Sequence, residues 1–396
     1  MADSPRTTVL FYIGSMEPGG AERQVLTILQ HLDRSRFAPV LCLAHRRGVL
    51  LEQMPADVPI ESFWDGFAGT ARSKLCHLLK VTRYVRCRWL AKCLRRHRAD
   101  VIYDRTYLAT LDAAAAAFLR PTPRISAAVG DPRMQFEVYA RFPRWLWRWF
   151  SRRSYCTAAV VLANSEGLRK QLIDYWQLPE DQVRTQPNAY DFERIDALAS
   201  APVPTPSSGR YGLLTVGRMD EDKGHADLLS AVEDLVKQRG QTDLLWQIIG
   251  TGPDEAKLKQ AVAQRGLTAN VEFLGIQPNP FPYYRSADLF CLPSRSEGLP
   301  NVLIEALACG TPVIAADCPS GPREILADGA YGQLVPVRNP TALAEAIARH
   351  RESPGVLQAA AIAGRQSVRQ RYAVETVIAR LESLIDEVVA RSQHGG

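Results

Sequence analysis

Short apolar runs alternate along this chain with longer segments whose apolar residues return every three or four positions. Residues 7–14 are largely apolar and close on a glycine, 15–20 form a loop of small residues, and 21–32 carry Val25, Ile28, Leu29 and Leu32 at helical spacing. Strand, glycine-rich turn and helix in that order open a doubly wound α/β fold. Further strands are predicted at 40–44, 101–103, 125–129 and 160–163, with helical patterns at 74–96 and 107–119 between them. Such alternation implies a parallel sheet covered on both faces.

Residues 201–209 place proline at every second position and then Ser-Ser-Gly, the composition of an extended linker. The alternation then restarts. Strands are predicted at 212–216, 245–249, 271–274, 289–292 and 313–315, with helices at 225–238, 255–265 and 301–308. A last amphipathic helix at 375–391 presents Val377, Ile378, Leu381, Leu384, Ile385 and Val388 along one side and is placed against the first domain. The expected division is a first domain at 1–200, a linker at 201–210, a second domain at 211–374 and the terminal helix at 375–396. Two such halves on one linker would face a cleft, and open α/β sheets bind ligands at the carboxyl ends of their strands.

Composition narrows the class. The 396 residues suit two domains better than one. Basic residues outnumber acidic ones in the first 200 positions, 29 to 20, and the balance reverses afterwards, 19 to 22. A basic first half suits an anionic lipid or a phosphorylated acceptor. The 8 cysteines have no CxxC spacing, which points to reduced thiols in a cytosolic protein. No signal peptide and no apolar stretch of 18 residues is visible, so no transmembrane helix is expected.

The chemistry concentrates at 293–313, where a strand ends at Pro293, a loop carries Glu297, Gly298, Leu299 and Pro300, and a helix opens at Asn301 and Val302. Backbone amides at a helix start suit a diphosphate. A carboxylate such as Glu297 or Glu305 accepts hydrogen bonds from sugar hydroxyls. On the residues alone, a helix-dipole partner for Glu297 and a solvated face for Glu305 account for them equally well. Glu305 sits among Ile304, Ala306 and Leu307 on a helix almost without charge, which favours a site.

Seven residues separate Glu297 from Glu305 within S-E-G-L-P-N-V-L-I-E-A-L-A-C-G-T-P-V. This resembles the E-x7-E signature of the family 4 retaining glycosyltransferases. The resemblance implies the GT-B fold, two Rossmann-like doubly wound parallel-sheet domains facing a cleft. It also places Glu297 beside the donor hexose and Glu305 on the ribose hydroxyls. Residues 217–224, Gly-Arg-Met-Asp-Glu-Asp-Lys-Gly, resemble the family's G-R-x4-K-G element. Arg218 and Lys223 would there neutralise the donor diphosphate as it leaves. Gly19 and Gly20 open G-G-A-E-R, which resembles a stretch facing diphosphate and acceptor. Ile276, just after F-L-G, would border the base. Pro187-Asn188-Ala189 resembles a P-N-G element and receives no catalytic role. Asp220-Glu221-Asp222 spells D-x-D but is read as a solvated turn, and no metal and no other cofactor is expected. The family commonly has a histidine in the first domain where this chain has 126–133 without one. Asp131 and Arg133 are the local acceptor-side candidates, with helix capping an equal reading for Asp131.

Residues 139–153 mix Arg141, Arg144, Arg148 and Arg152 with Trp145, Trp147 and Trp149. Arginines and tryptophans at helical spacing suit a bilayer interface; buried tryptophans behind a solvated arginine face are the alternative. The reading is a metal-independent retaining transferase. It moves a hexose or N-acetylhexosamine from a nucleotide sugar, UDP-linked by preference, to a glycan or lipid-linked acceptor in cell-envelope polysaccharide or glycolipid synthesis. The protein would be cytoplasmic or peripheral on the cytoplasmic membrane face, without nucleic acid as partner. The rivals are a nucleotide-sugar sensor or scaffold and an epimerase, since fold alone does not decide function.

Overall fold

The structure is a computed structural model that describes residues 6–70, 76, 81–141, 143–203 and 209–394. The chain divides into two compact units, one of residues 1–190 with 374–396 and one of 191–373.

The first unit is built on a seven-stranded sheet in the order β3-β2-β1-β4-β5-β6-β7, with every neighbouring pair parallel. Its strands are β1 Thr7–Ile13, β2 Phe37–Leu43, β3 Ile60–Ser62, β4 Val101–Arg105, β5 Arg124–Ala128, β6 Val160–Ala163 and β7 Val183–Thr185. Continuous apolar runs such as Val160–Ala163 are buried throughout, as strands covered on both faces must be. The strand order reverses between β1 and β4. The last helix, Val374–His394, belongs to this unit: the six apolar residues named for it share one core with Val9, Phe11 and Val25. Along its middle, Arg184 makes a two-pronged ion pair with Glu387 at 2.6 and 2.7 Å, and Asp33 N–H donates to Glu382 at 2.8 Å.

The second unit repeats the plan with six parallel strands in the order β10-β9-β8-β11-β12-β13. They are β8 Tyr211–Val216, β9 Leu244–Ile249, β10 Val271–Gly275, β11 Leu289–Leu292, β12 Val313–Ala316 and β13 Gln333–Val335. Here the order reverses between β8 and β11. Helix Phe192–Ala199, capped by Asp191 accepting from Arg194 N–H at 2.9 Å, groups with this unit, so the chain crosses ten residues ahead of the expected boundary. The proline-rich centre of the expected linker, 204–208, lies outside the described residues, as do 74, 75 and 77–80 of the predicted basic helix, which is seen as Thr82–Arg96. The predicted helix at 225–238 is α-helical only over His225–Glu233 and then widens into a π turn, Asp234–Gln238. All 8 cysteines are free thiols, and among the described residues no helix is long and apolar enough to cross a membrane.

Candidate donor site at a strand-order reversal

The loops after β8 and β11 leave the second sheet side by side, at the place where its strand order reverses. Ligands of doubly wound sheets bind at that kind of place. One loop carries Arg218 and Lys223, the other Glu297.

These loops are pressed together by glycine. Gly224 has φ +68, and a Cβ there would lie 2.0 Å from the Pro293 carbonyl oxygen. Only a residue without a side chain both adopts that φ comfortably and allows the approach. It starts helix His225–Glu233 directly against the end of β11. Gly250, at φ +134, meets the Gly217 carbonyl the same way, at 1.9 Å.

Arg295 then pins the two loops. Its Nε and Nη2 donate to the two Asp227 carboxylate oxygens at 3.1 Å each, Nη1 donates to Glu221 at 3.1 Å, and its backbone N–H donates to Asp222 O at 2.7 Å. A planar fork is suited to this two-pronged task. Within this frame Lys223 Nζ donates to Glu297 Oε1 at 2.7 Å, the carboxylate being only 9% exposed and the lysine side chain 29%. Arg218 is the open cation, 69% exposed, with Asp220 at 3.7 Å. Beneath the loop, His225 stacks on Trp246 with both ring nitrogens unpartnered, and burial pushes its pKa down to about 4.

Helix Asn301–Cys309 starts behind Pro300, which supplies no side-chain cap, and ends on Gly310 at φ +79. Its positive end therefore stands near Glu297. The turn Glu297–Pro300 is braced from behind, because Ser320 Oγ donates to Gly298 O at 2.9 Å and Leu299 is buried. Asn301 and Val302 are half-buried. On the same helix Glu305 accepts from the Tyr284 hydroxyl at 3.0 Å. Ile276, after β10, is 68% exposed, a large apolar side chain turned outward beside the sheet's carboxyl edge.

In the first unit, Gly19 precedes helix Gly20–His31 without a side-chain cap. The Glu22 carboxylate folds back over Gly19, within 2.3 Å of where a Cβ would stand, and burial raises its pKa. Arg105 ends β4, is almost fully buried, and donates to Asn188 Oδ1 at 2.7 Å and Tyr103 Oη at 3.1 Å. Gln24 bonds both the N–H and the C=O of Ala189, at 2.7 and 3.1 Å. The Pro187–Ala189 segment is thus held to β4 and to the first helix. Asp131 is the N-cap of helix Pro132–Tyr139, accepting from Arg133 N–H at 2.7 Å, and the Arg133 guanidinium lies 5.9 Å from the Tyr175 ring centre.

The basic aromatic segment forms helix Arg144–Cys156. It splits by face. Trp147 donates to the Tyr107 hydroxyl at 3.1 Å, Arg148 lies 4.4 Å over the Tyr175 ring, and Arg152 donates to Trp176 O at 2.9 Å. Trp145 and Trp149 stand out at 72% and 60% exposed, with Leu146 and Val138 exposed nearby in sequence. Arg141 is exposed and Arg144 pairs with Glu137 at 2.5 Å.

Two parallel sheets with this strand order, and a site of cations, helix start and carboxylates on the second, define a two-Rossmann transferase fold of the GT-B class. Two family models tile the chain: "Glycosyltransferase Family 4" matches residues 18–194 and "Glycosyl transferases group 1" matches 202–367. The chain belongs to the family 4, group 1 glycosyltransferases. It is 34% identical over 185 residues to a Campylobacter jejuni N-acetylgalactosamine-N,N'-diacetylbacillosaminyl-diphospho-undecaprenol 4-alpha-N-acetylgalactosaminyltransferase, covering 47% of this chain and 48% of that one. A second Campylobacter jejuni enzyme, an alpha-1,4-N-acetyl-D-galactosaminyltransferase acting on a diphospho-undecaprenol glycan, is 26% identical over 85% of this chain and 87% of its own. The chain spans about half the length of the first two curated relatives it matches. The fold of Anabaena HepE, solved with UDP, matches with a TM-score of 0.78 at 20% identity, covering 96% of this chain and 100% of that one.

Proposed function

We propose that this chain transfers a hexosyl or N-acetylhexosaminyl group from a UDP-linked sugar to a hydroxyl of a glycan or lipid-linked acceptor, with retention and without a divalent metal. The observation that carries the reading is the meeting of Lys223, Arg218 and the start of helix Asn301–Cys309 with Glu297 at one strand-order reversal. Cations and helix amides answer a diphosphate; carboxylates answer hydroxyls. The charge that grows on the departing diphosphate is met by Arg218 and Lys223, the task a metal ion performs elsewhere. The acceptor oxygen bonds to the anomeric carbon as the carbon–phosphate-oxygen bond breaks. The bonding pair leaves on the diphosphate, and the acceptor proton passes to a departing phosphate oxygen on the same face. Glu297 holds hexose hydroxyls, Glu305 the ribose, and Ile276 borders the base. Gly298, Leu299, Pro300, Asn301 and Val302 shape the diphosphate turn. Asp131 and Arg133 are the acceptor-side candidates, with Asp131 also serving as the cap of its own helix.

Lipid-linked acceptors of the two Campylobacter relatives support a lipid-linked acceptor here. Peripheral attachment to the cytoplasmic face of an anionic membrane follows. Trp145 and Trp149 would enter the headgroup region with Arg141 and Arg144 beside them, while Arg148 and Arg152 hold the helix to its own unit. The test of the reaction is the anomeric proton of the product, formed from a UDP-α-sugar in the presence of a chelator. An α-product without added metal supports it; a β-product, or activity abolished by the chelator, contradicts it.

A further inference from the structure

Lys223 spends its charge on a residue of the same chain. Its ammonium is 2.7 Å from Glu297 Oε1, and that carboxylate is nine-tenths buried. The loops that carry them are fixed from outside the pair, by the Arg295 fork on Asp227 and Glu221 and by Gly224 against Pro293. The pair can therefore open by side-chain rotation, not by separation of the loops.

An ammonium is a compact point charge with three donors, and a diphosphate competes for it directly. When Lys223 turns to a diphosphate, Glu297 is left as a largely buried carboxylate stripped of its counter-ion, and losing one partner of such a pair is costly. Sugar hydroxyls can donate to the vacated carboxylate and make good that loss. A bare nucleoside diphosphate has no sugar to offer.

We propose that Lys223–Glu297 is an exchangeable ion pair that favours the intact nucleotide sugar over the nucleoside diphosphate it leaves behind, and so speeds release of that product. The inference rests on the donor reading of this site. It reverses the simpler expectation, in which Glu297 steadies Lys223 for the phosphates and its loss weakens every nucleotide.

The test is calorimetric titration of the full chain with UDP, and with inorganic pyrophosphate as a base-independent probe. The proteins are wild type, Glu297→Gln, Glu297→Ala, Lys223→Met and the Lys223→Met/Glu297→Gln double variant. Releasing Lys223 from a partly exposed pair should tighten UDP roughly fivefold in both Glu297 variants. Lys223→Met should weaken UDP, and adding Glu297→Gln to it should change nothing further. The exchange is overturned if the Glu297 variants bind UDP equally or more weakly than wild type, or if the gain persists without Lys223. Those outcomes leave the donor reading standing, because wild type still binds UDP. Wild type that binds neither UDP nor pyrophosphate overturns both.

Discussion

In the proposed reaction Arg218 and Lys223 serve the same leaving group from different settings, one open to solvent and one paired with Glu297. Arg218 is exposed and almost unpaired, so Arg218→Ala should leave the fold intact and lower kcat by roughly 10²- to 10³-fold, the usual effect of removing one stabilising donor. Steady-state rates alongside a melting curve check this. His225 gives a prediction of another kind. Its folded pKa, about 4, lies below the ordinary 6.5, so the neutral ring is the form the fold accepts. Its contribution to stability is complete above pH 6.5 and is lost as pH falls towards 4, by about 3 kcal/mol at most. Denaturant titrations at pH 7 and pH 4.5 should show a smaller acid loss in His225→Phe than in wild type. An equal loss would mean that other groups carry the acid sensitivity. At this scale the sequence revealed what is local. Glu297, Glu305 and Lys223 stand at fixed spacings within short segments. Arg295 gave no such sign, because its partner Asp227 lies 68 positions away. Tyr284, which donates to Glu305, and Arg105, which holds Asn188, depend in the same way on the folded chain.

Elements read well where both faces are buried. β1, β4, β6, β8, β9 and β12 are built on apolar runs, and their boundaries fall within two residues of those the pattern predicts. The three-residue strands β3, β7 and β13 carry too little pattern to be recognised; pairing with a neighbour makes them strands. The helix Arg144–Cys156 was visible by periodicity, yet which of its arginines are held at the surface was decided by Tyr175 and Trp176 on another helix. Two predictions belong here. Leu381→Ala in the terminal helix empties a fully packed position in the first unit's core and should cost about 2–5 kcal/mol there. Native-state hydrogen exchange should locate that loss in the first unit, with the second unit's protection unchanged. Gly224→Ala must displace the Pro293 backbone and should abolish nucleotide binding more completely than Lys223→Ala.

For the whole molecule, the proposed membrane contact gives the charge asymmetry a testable consequence. The basic first unit carries the exposed tryptophans, and each cation near an anionic surface adds about 1 kcal/mol of attraction. Flotation with vesicles containing phosphatidylglycerol should carry the wild type upward. Trp145→Ser/Trp149→Ser and Arg141→Glu/Arg144→Glu should each reduce it, while neutral phosphatidylcholine vesicles should capture little. Equal flotation by all variants would remove these residues from the membrane contact.

The central claim is that the second unit binds a nucleotide sugar through Lys223 and Glu305, and melting temperature tests it most directly. The protein would be heated with UDP, GDP, ADP and their sugars in the absence of metal, with Lys223→Ala and Glu305→Ala alongside. A ligand at 100 times its dissociation constant stabilises by about 2.7 kcal/mol, enough to move the transition. Wild type should shift with the uridine series, and both variants should lose that shift. A wild type that ignores every nucleotide, or variants that respond as it does, would contradict the claim.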